Sequence, residues 1–143
     1  MAGCDLCERP GGHTVWQDRA CRVVRVDDAD YPGFCRVIWQ EHVSEMSDLS
    51  VSEQRHLYSV VNAVESALRT LLRPDKINLA SLGNQVPHLH WHVIPRWRDD
   101  RHFPQPVWAA PLRDSAPPRA APSDTALHDA VIQVLAEAQA GAA

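Results

Sequence analysis

The sequence of 143 residues lacks a long hydrophobic run, an excess of positive charge and a secretory leader pattern. No apolar stretch approaches the roughly 20 residues that a transmembrane helix needs. The first eight residues carry charges and no apolar run, so we expect no secretory signal. A net charge of -4 disfavours broad electrostatic attraction to nucleic acid or to anionic membranes. These absences favour a cytoplasmic protein without a nucleic-acid or membrane partner.

The sequence has only 4 cysteines, and in the cytoplasm they are expected to be free or metal-bound rather than bridged. Cys4 and Cys7 are separated by two residues and followed by the turn signal Pro10-Gly11-Gly12. Cysteines at this spacing around a tight turn form half of a typical zinc site. Two unrelated thiols are the alternative. A thioredoxin-like redox pair is less favoured, because no helix follows to lower the thiol pKa.

The composition, with 45% apolar and 22% charged residues, is typical of a globular domain with a single core. Strands come first, one long helix follows, and further strands come after it, an order that predicts an α+β fold with helices on one face of an antiparallel sheet. The predicted elements are strands at His13–Gln17, Cys21–Val26, Phe34–Trp39 and Lys76–Leu82, a histidine-rich strand around residues 88–94, and helices at Ser50–Arg73 and Ser123–Ala140.

The helix at 50–73 has the clearest signature. Ser50 and Glu53 form a capping box, which satisfies free amide groups at the start of a helix. Pro74 ends the helix. Apolar residues recur at intervals of three and four, and this stripe is expected to pack on the sheet: Leu57, Val60, Val61, Val64, Leu68, Leu71 and Leu72.

Three histidines at alternate positions dominate the functional signal. His88, His90 and His92 are separated by Leu89 and Trp91. Side chains of an extended strand point alternately to opposite faces, so the three imidazoles are expected to share one face, with apolar residues on the other.

Three interpretations of this pattern compete. A solvated histidine-rich face is the simplest. A single metal bound by all three is disfavoured, because the outer pair spans about 13 Å on a strand, whereas ligand nitrogens lie about 2 Å from zinc. Phosphoryl chemistry fits better, since a neutral imidazole is nucleophilic near pH 7 and a neighbouring imidazole can donate to phosphate.

The stretch His88-Leu89-His90-Trp91-His92-Val93-Ile94 resembles the signature of the histidine triad (HIT) family of nucleotide hydrolases and transferases. The flanking Gly83-Asn84-Gln85-Val86 and Ile94-Pro95-Arg96 are also similar to that family. The resemblance extends from about Asp18 to about Trp108, with bacterial diadenosine-polyphosphate-hydrolase-like members as the nearest branch. It implies a five-stranded antiparallel sheet with one long helix packed on it, usually in a homodimer.

The resemblance also implies roles for individual residues. His90 is expected to attack the α-phosphorus of a dinucleoside polyphosphate or nucleoside phosphoramidate, forming a nucleotidyl-histidine that water hydrolyses. His92 is expected to hold the phosphate oxygens, with Asn84 and Gln85 positioning them, and Asp27 to bind the ribose of a purine nucleotide. No metal is required at the reacting phosphate.

One residue departs from the family pattern. Members usually carry a histidine after a glycine on the strand leading to the active site, but Gly33 is followed here by Phe34. A missing proton relay at this position is compatible with lower turnover. It motivates a second hypothesis, a non-catalytic regulator that binds nucleotide.

The family resemblance extends to a structural zinc site in some bacterial relatives, built from an N-terminal Cys-x-x-Cys pair and two histidines. The matching positions here are Cys4, Cys7, His42 and His88. A closed Cys₂His₂ tetrahedron would tie the N-terminus to the sheet. A surface histidine is the alternative for His42.

The C-terminal third has a different composition. Six prolines between Pro104 and Pro122 exclude a regular element. We therefore divide the chain into a HIT domain at residues 1–110, including the Cys-x-x-Cys segment, and a proline-rich linker with a terminal helix at residues 111–143. Trp108 is expected to pack on the domain, line a base pocket or contribute to a dimer surface.

Overall fold

The computed structural model describes residues 2–142 and contains one five-stranded antiparallel sheet in the order β1-β2-β3-β5-β4. A long helix packs on one face, so the predicted α+β fold is confirmed. The strands are β1 (His13–Gln17), β2 (Cys21–Arg25), β3 (Cys35–Trp39), β4 (Lys76–Ala80) and β5 (His90–Arg96); the helices are α1 (Asp5–Glu8), α2 (Val51–Leu72) and α3 (Asp124–Ala142), with a 3₁₀ turn at Met46–Asp48.

Helix α2 begins and ends as its sequence predicts. The backbone N–H of Glu53 donates to Ser50 Oγ (3.2 Å), and the Ser50 N–H donates to Glu53 Oε1 (2.8 Å), which completes the capping box. Arg73 closes the helix in the left-handed conformation, with φ of 50°, immediately before Pro74. Leu57, the first buried residue of the apolar stripe, packs with sheet residues in the main core.

The cross-strand register gives the two faces of the sheet different chemistry. Val37 lies opposite Trp91, and both pack in the core beneath α2. The next positions alternate to the other face, where Arg36 lies opposite His92 and Ile38 opposite His90. The sheet therefore buries apolar residues on the helix side and presents two histidines and an arginine on the opposite side.

The histidine-rich strand begins later than predicted. β5 starts at His90, so His88 precedes it. The N–H of Leu89 donates to the carbonyl of Val43 (2.8 Å), outside the β3–β5 ladder. His90 and His92 share a face of the strand as predicted, whereas His88 is positioned by the segment before the strand.

The C-terminal segment completes the core. Residues 97–123 contain no helix or strand, as the prolines predict. Helix α3 follows and packs on α2 and β1, with Leu127 and Val131 buried in the main core. Among the helices described between residues 2 and 142, none has the length and apolarity to cross a membrane.

Candidate active site

His90 is held in one orientation by its own backbone. The ring Nδ1–H donates to the carbonyl oxygen of His88 (2.5 Å), and the side chain is only 8% exposed. A neutral imidazole has one N–H, so this hydrogen bond assigns the proton to Nδ1 and the lone pair to Nε2. Burial lowers the pKa of His90, the hydrogen bond to His88 opposes this, and the Arg36 charge lowers the pKa further. His90 is therefore a neutral imidazole near pH 7, with Nε2 available as a nucleophile.

His92 lies beside His90 in an aromatic environment. The two ring centroids are 4.9 Å apart, and the rings of Phe34 and Trp108 contact His92 edge to face at 5.8 and 5.0 Å. Burial, together with the nearby His90 and Arg36, lowers the pKa of His92 to about 4. Nδ1 of His92 is buried without a hydrogen-bond partner among residues 2–142. A buried imidazole with an unsatisfied nitrogen is suited to a polar ligand.

Both histidines line a cavity of about 740 Å³ on the sheet face opposite α2. One wall comes from the N-terminal segment between Asp5 and Gly12, and the other from the loop at residues 82–86. Trp108 reaches the same cavity and remains 50% exposed. The volume falls within the range of small-molecule and cofactor sites, roughly 300–1,000 Å³.

The structure brings most of the sequence-predicted nucleotide-binding residues to this cavity. Asn84 and Gln85 lie in the loop before β5 and line the cavity with His90 and His92. Asp27 is not among the lining residues; its exposed carboxylate accepts from His13 Nε2 (2.7 Å) and Arg25 Nη1 (3.0 Å). The geometry therefore gives no support to the ribose-binding role assigned to Asp27.

A second cluster of polar side chains is formed by Cys4, Cys7, His42 and His88. Nδ1 of His88 is 3.5 Å from Sγ of both Cys4 and Cys7 and 3.2 Å from Nδ1 of His42. Sγ of Cys7 is 3.4 Å from Nδ1 of His42. All four potential ligand atoms lie within 4.8 Å of one another.

The arrangement of this cluster fits a tetrahedral zinc ion. Bonds of about 2.3 Å to sulfur and 2.1 Å to nitrogen place tetrahedral ligand atoms roughly 3.3–3.8 Å apart, and the measured separations are close to this range. The Nε2–H of His88 donates to the carbonyl of Trp39 (2.6 Å), which leaves Nδ1 with its lone pair directed at the cysteines. A backbone carbonyl on the distal nitrogen is the usual support for a metal-binding histidine.

Residues 11–99, which include the whole sheet from β1 to β5, match the sequence model of the HIT domain. The chain belongs to the HIT family. The recognition made from the histidine pattern is therefore confirmed.

Named relatives of this HIT domain are similar over part of their length. AP-4-A phosphorylase from Mycobacterium tuberculosis is 31% identical over 78 residues, which cover 50% of this chain and 40% of that protein. Bis(5'-nucleosyl)-tetraphosphatase [asymmetrical] from Schizosaccharomyces pombe is 32% identical over 74 residues, with coverages of 48% and 41%. The chain thus matches less than half the length of these curated relatives.

A solved structure matches the HIT fold over nearly the whole chain. The histidine triad protein blr8122 from Bradyrhizobium japonicum is 29% identical, with a TM-score of 0.63, and the match covers 87% of this chain and 90% of that one. The match therefore includes most of the fold of this chain.

Arg36 is a residue of the HIT cavity that sequence reasoning missed. It is the second residue of β3 and lines the cavity beside His92. A signal was available, since the strand Cys35–Trp39 is otherwise apolar and a single arginine within such a strand needs a polar environment on one face.

Proposed function

We propose that this protein is a nucleotide hydrolase or transferase that cleaves at the α-phosphate of dinucleoside polyphosphates or nucleoside phosphoramidates. His90 Nε2 attacks the α-phosphorus, a P–N bond to the protein forms, and the bond to the leaving group breaks with its electron pair. Water then attacks the nucleotidyl-histidine and releases the nucleotide. Two displacements replace one difficult step, which is the advantage of covalent catalysis.

The observation that carries this proposal is the hydrogen bond from His90 Nδ1–H to the carbonyl of His88. It fixes the tautomer before any substrate arrives, so no ring rotation or proton shift is needed for Nε2 to act as the nucleophile. The names of the relatives support a polyphosphate substrate with a purine base, since one is an AP-4-A phosphorylase.

Flanking residues supply the binding part of the mechanism. His92 is neutral and can donate one N–H to a phosphate oxygen, while Asn84 and Gln85 offer amide N–H donors from the neighbouring loop. The exposed face of Trp108 is available for stacking on a base. Displacement at phosphorus depends largely on such positioning and charge stabilisation.

Turnover of two substrates tests the proposal. Wild-type protein is incubated with diadenosine tetraphosphate and with an adenosine phosphoramidate, and each reaction is repeated with His90→Ala. We expect the variant to lose at least about a thousandfold in kcat, because no other group replaces the nucleophile. His128→Ala, on helix α3, is the matched control and should turn over at the wild-type rate. Equal product from His90→Ala and wild type would remove His90 as the nucleophile.

A nucleotide-binding regulator is the second candidate, and Phe34 favours it. The Phe34 ring is 5% exposed and contacts His92 where family members usually carry a histidine. Phenylalanine cannot relay a proton. This candidate predicts AMP binding by calorimetry together with no turnover of either substrate class, whereas the enzymatic proposal predicts both binding and turnover.

We also propose that Cys4, Cys7, His42 and His88 bind a single structural zinc ion. The support is the near-tetrahedral spacing of the four ligand atoms and the carbonyl partner of His88. With four protein ligands the site is closed, so the ion has no open position for substrate. Its role is to fasten the N-terminal wall of the cavity to the segment before β5.

A further inference from the structure

Arg36 lies next to the two histidines of the cavity. It is the direct cross-strand partner of His92, so the two side chains leave the same face of the sheet from neighbouring strands. Helix α2 packs on the opposite face. The charge of Arg36 is close enough to lower the pKa values of both His90 and His92.

The hydrogen bonding of Arg36 is incomplete. Its Nη1 donates to the carbonyl of Gly11 (2.9 Å), while Nε is buried without a partner among residues 2–142. Arg22, on β2, provides the contrast, since it donates to Pro10, Leu6, Arg9 and Gln40 through three nitrogens. Arg22 therefore anchors the N-terminal segment. At Arg36, by contrast, most of the five N–H donors of the guanidinium are unused.

Arg36 also has no carboxylate counterion among the described residues. Of the ion pairs found between residues 2 and 142, none includes Arg36. Asp5 and Arg9 line the same cavity, and their opposite charges cancel, so the charge of Arg36 is left unbalanced. A half-buried cation without a carboxylate partner is unfavourable unless an anion binds there. Phosphate matches the planar donor fork of a guanidinium particularly well.

We propose that Arg36 binds the phosphate adjacent to the reacting one, on the leaving-group side, and thereby selects polyphosphate substrates. This inference rests on the proposed function, which places the α-phosphate at His90 and His92. Neighbouring strands are about 4.8 Å apart, so a guanidinium on β3 reaches a group one phosphate away from that position. A phosphoramidate has no second phosphate and gains nothing from Arg36.

Binding measurements test this role without requiring turnover. Calorimetry compares AMP with the non-hydrolysable α,β-methylene analogue of ADP, for wild type, Arg36→Gln and Arg36→Lys. We expect wild type to bind the analogue about tenfold to a hundredfold more tightly than AMP, because the second phosphate makes one charge-assisted contact with Arg36. Arg36→Gln should bind the two ligands within about threefold of each other, and Arg36→Lys should retain part of the preference. An unchanged preference in Arg36→Gln, or an equal loss for both ligands, would overturn the inference.

Kinetics give an independent measurement. The ratio of kcat/KM for diadenosine tetraphosphate to kcat/KM for the phosphoramidate should fall at least about tenfold in Arg36→Gln. Arg22→Lys is the control; it should lower the melting temperature and leave this ratio unchanged. If Arg22→Lys lowers the ratio equally, Arg36 acts through the N-terminal wall and the inference fails. Wild-type protein that prefers the ADP analogue over AMP but turns over neither substrate would contradict the proposed function alone. Wild-type protein that shows no preference between the two ligands would contradict the role of Arg36.

Discussion

His92 couples the chemistry of the cavity to the stability of the protein. Its pKa is lowered to about 4 in the folded state, first by burial and then by His90 and Arg36, whereas an exposed histidine titrates near 6.5. Above pH 6.5 His92 is neutral in both states. Between pH 6.5 and about 4 the unfolded chain binds a proton that the folded protein does not, so the free energy of unfolding falls as the pH decreases.

We expect the substitution His92→Gln to remove this part of the pH dependence. Urea unfolding at pH 7 and pH 5 should show a smaller loss of stability in the variant than in wild type, with a difference of up to about 1.4 kcal/mol per pH unit. His128→Gln removes a half-exposed histidine on α3 and should retain the wild-type dependence. Identical pH dependence in His92→Gln and wild type would show that His92 is not held neutral by the fold.

The placement of side chains was predictable from the sequence where one local pattern specified it. Strand alternation placed His90 and His92 on one face, and their neighbours Trp91 and Val93 on the other. The tautomer of His90 was not predictable, because it depends on where the His88 carbonyl points. The single arginine of the apolar strand β3 signalled a polar environment, but its place beside His92 was not predictable, because it depends on the register between β3 and β5.

At the scale of elements, the turn after β5 is organised by one buried carboxylate. Asp100 is fully buried and accepts from Arg96 through Nε (2.8 Å) and Nη2 (3.0 Å), as well as from the backbone N–H groups of Trp97, His102 and Phe103. Burial opposes ionisation, but these hydrogen bonds hold the pKa of Asp100 well below its usual range. The Arg96–Asp100 pair therefore has a structural role in this turn.

Removing this carboxylate should destabilise the protein strongly. We expect Asp100→Ala to lower the free energy of unfolding by about 3–5 kcal/mol, because Arg96 is left buried without a counterion. Asp99→Ala is the matched control, since Asp99 is exposed and its pair with Arg119 should contribute no more than about 1 kcal/mol. Equal effects of the two substitutions in urea unfolding would contradict this assignment.

The N-terminal segment is the other element whose position depends on a specific site. We expect purified protein, expressed with zinc present, to contain one zinc ion per chain by elemental analysis. Cys7→Ala should lose the ion and unfold at a lower temperature, because a closed zinc site contributes directly to folding. Cys35→Ala, in the main core, should keep it.

Both cysteine variants are informative. The Cys35→Ala protein controls for loss of a thiol and for a core cavity, which by itself lowers stability. Wild-type protein without stoichiometric zinc, or a Cys7→Ala variant that retains it, would refute the Cys₂His₂ site.

Elements were predicted more fully than their ends. The spacing of apolar residues and the capping box of Ser50 identified α2 within one residue at each end, since both signals are local. The start of β5 was predicted too early, because the Val43 carbonyl draws the Leu89 N–H out of the β3–β5 ladder. The short helix α1, which begins after Cys4 and contains Cys7, was not predicted, since four residues carry no periodicity.

For the whole molecule, α2 and the edge strand β4 leave apolar side chains exposed. Tyr58 is 50% exposed and Leu79 is 44% exposed. An open strand edge beside apolar side chains favours association of chains. The homodimer expected from the family resemblance stays a prediction. The division of the chain at residue 110 into a HIT domain and a C-terminal extension also stays a prediction, although Leu127 of α3 is buried in the main core.

Light scattering coupled to gel filtration measures the association directly. We expect a mass twice that of the 16.0 kDa chain for wild type, and a shift toward the single-chain mass for Leu79→Glu. Leu112→Glu changes an exposed leucine in the proline-rich segment and should leave the mass unchanged. A wild-type mass of one chain at micromolar concentration would contradict the dimer.

The central claim is that a nucleotide becomes covalently attached to His90. Its most direct measurement is intact-mass and peptide mass spectrometry of protein mixed with diadenosine tetraphosphate and denatured at neutral to alkaline pH, which preserves a phosphorus–nitrogen bond. We predict an adenylyl adduct on the peptide that contains residue 90, absent from His90→Ala. An adduct on another residue, or substrate cleavage by wild type with no adduct under rapid quenching, would contradict the account.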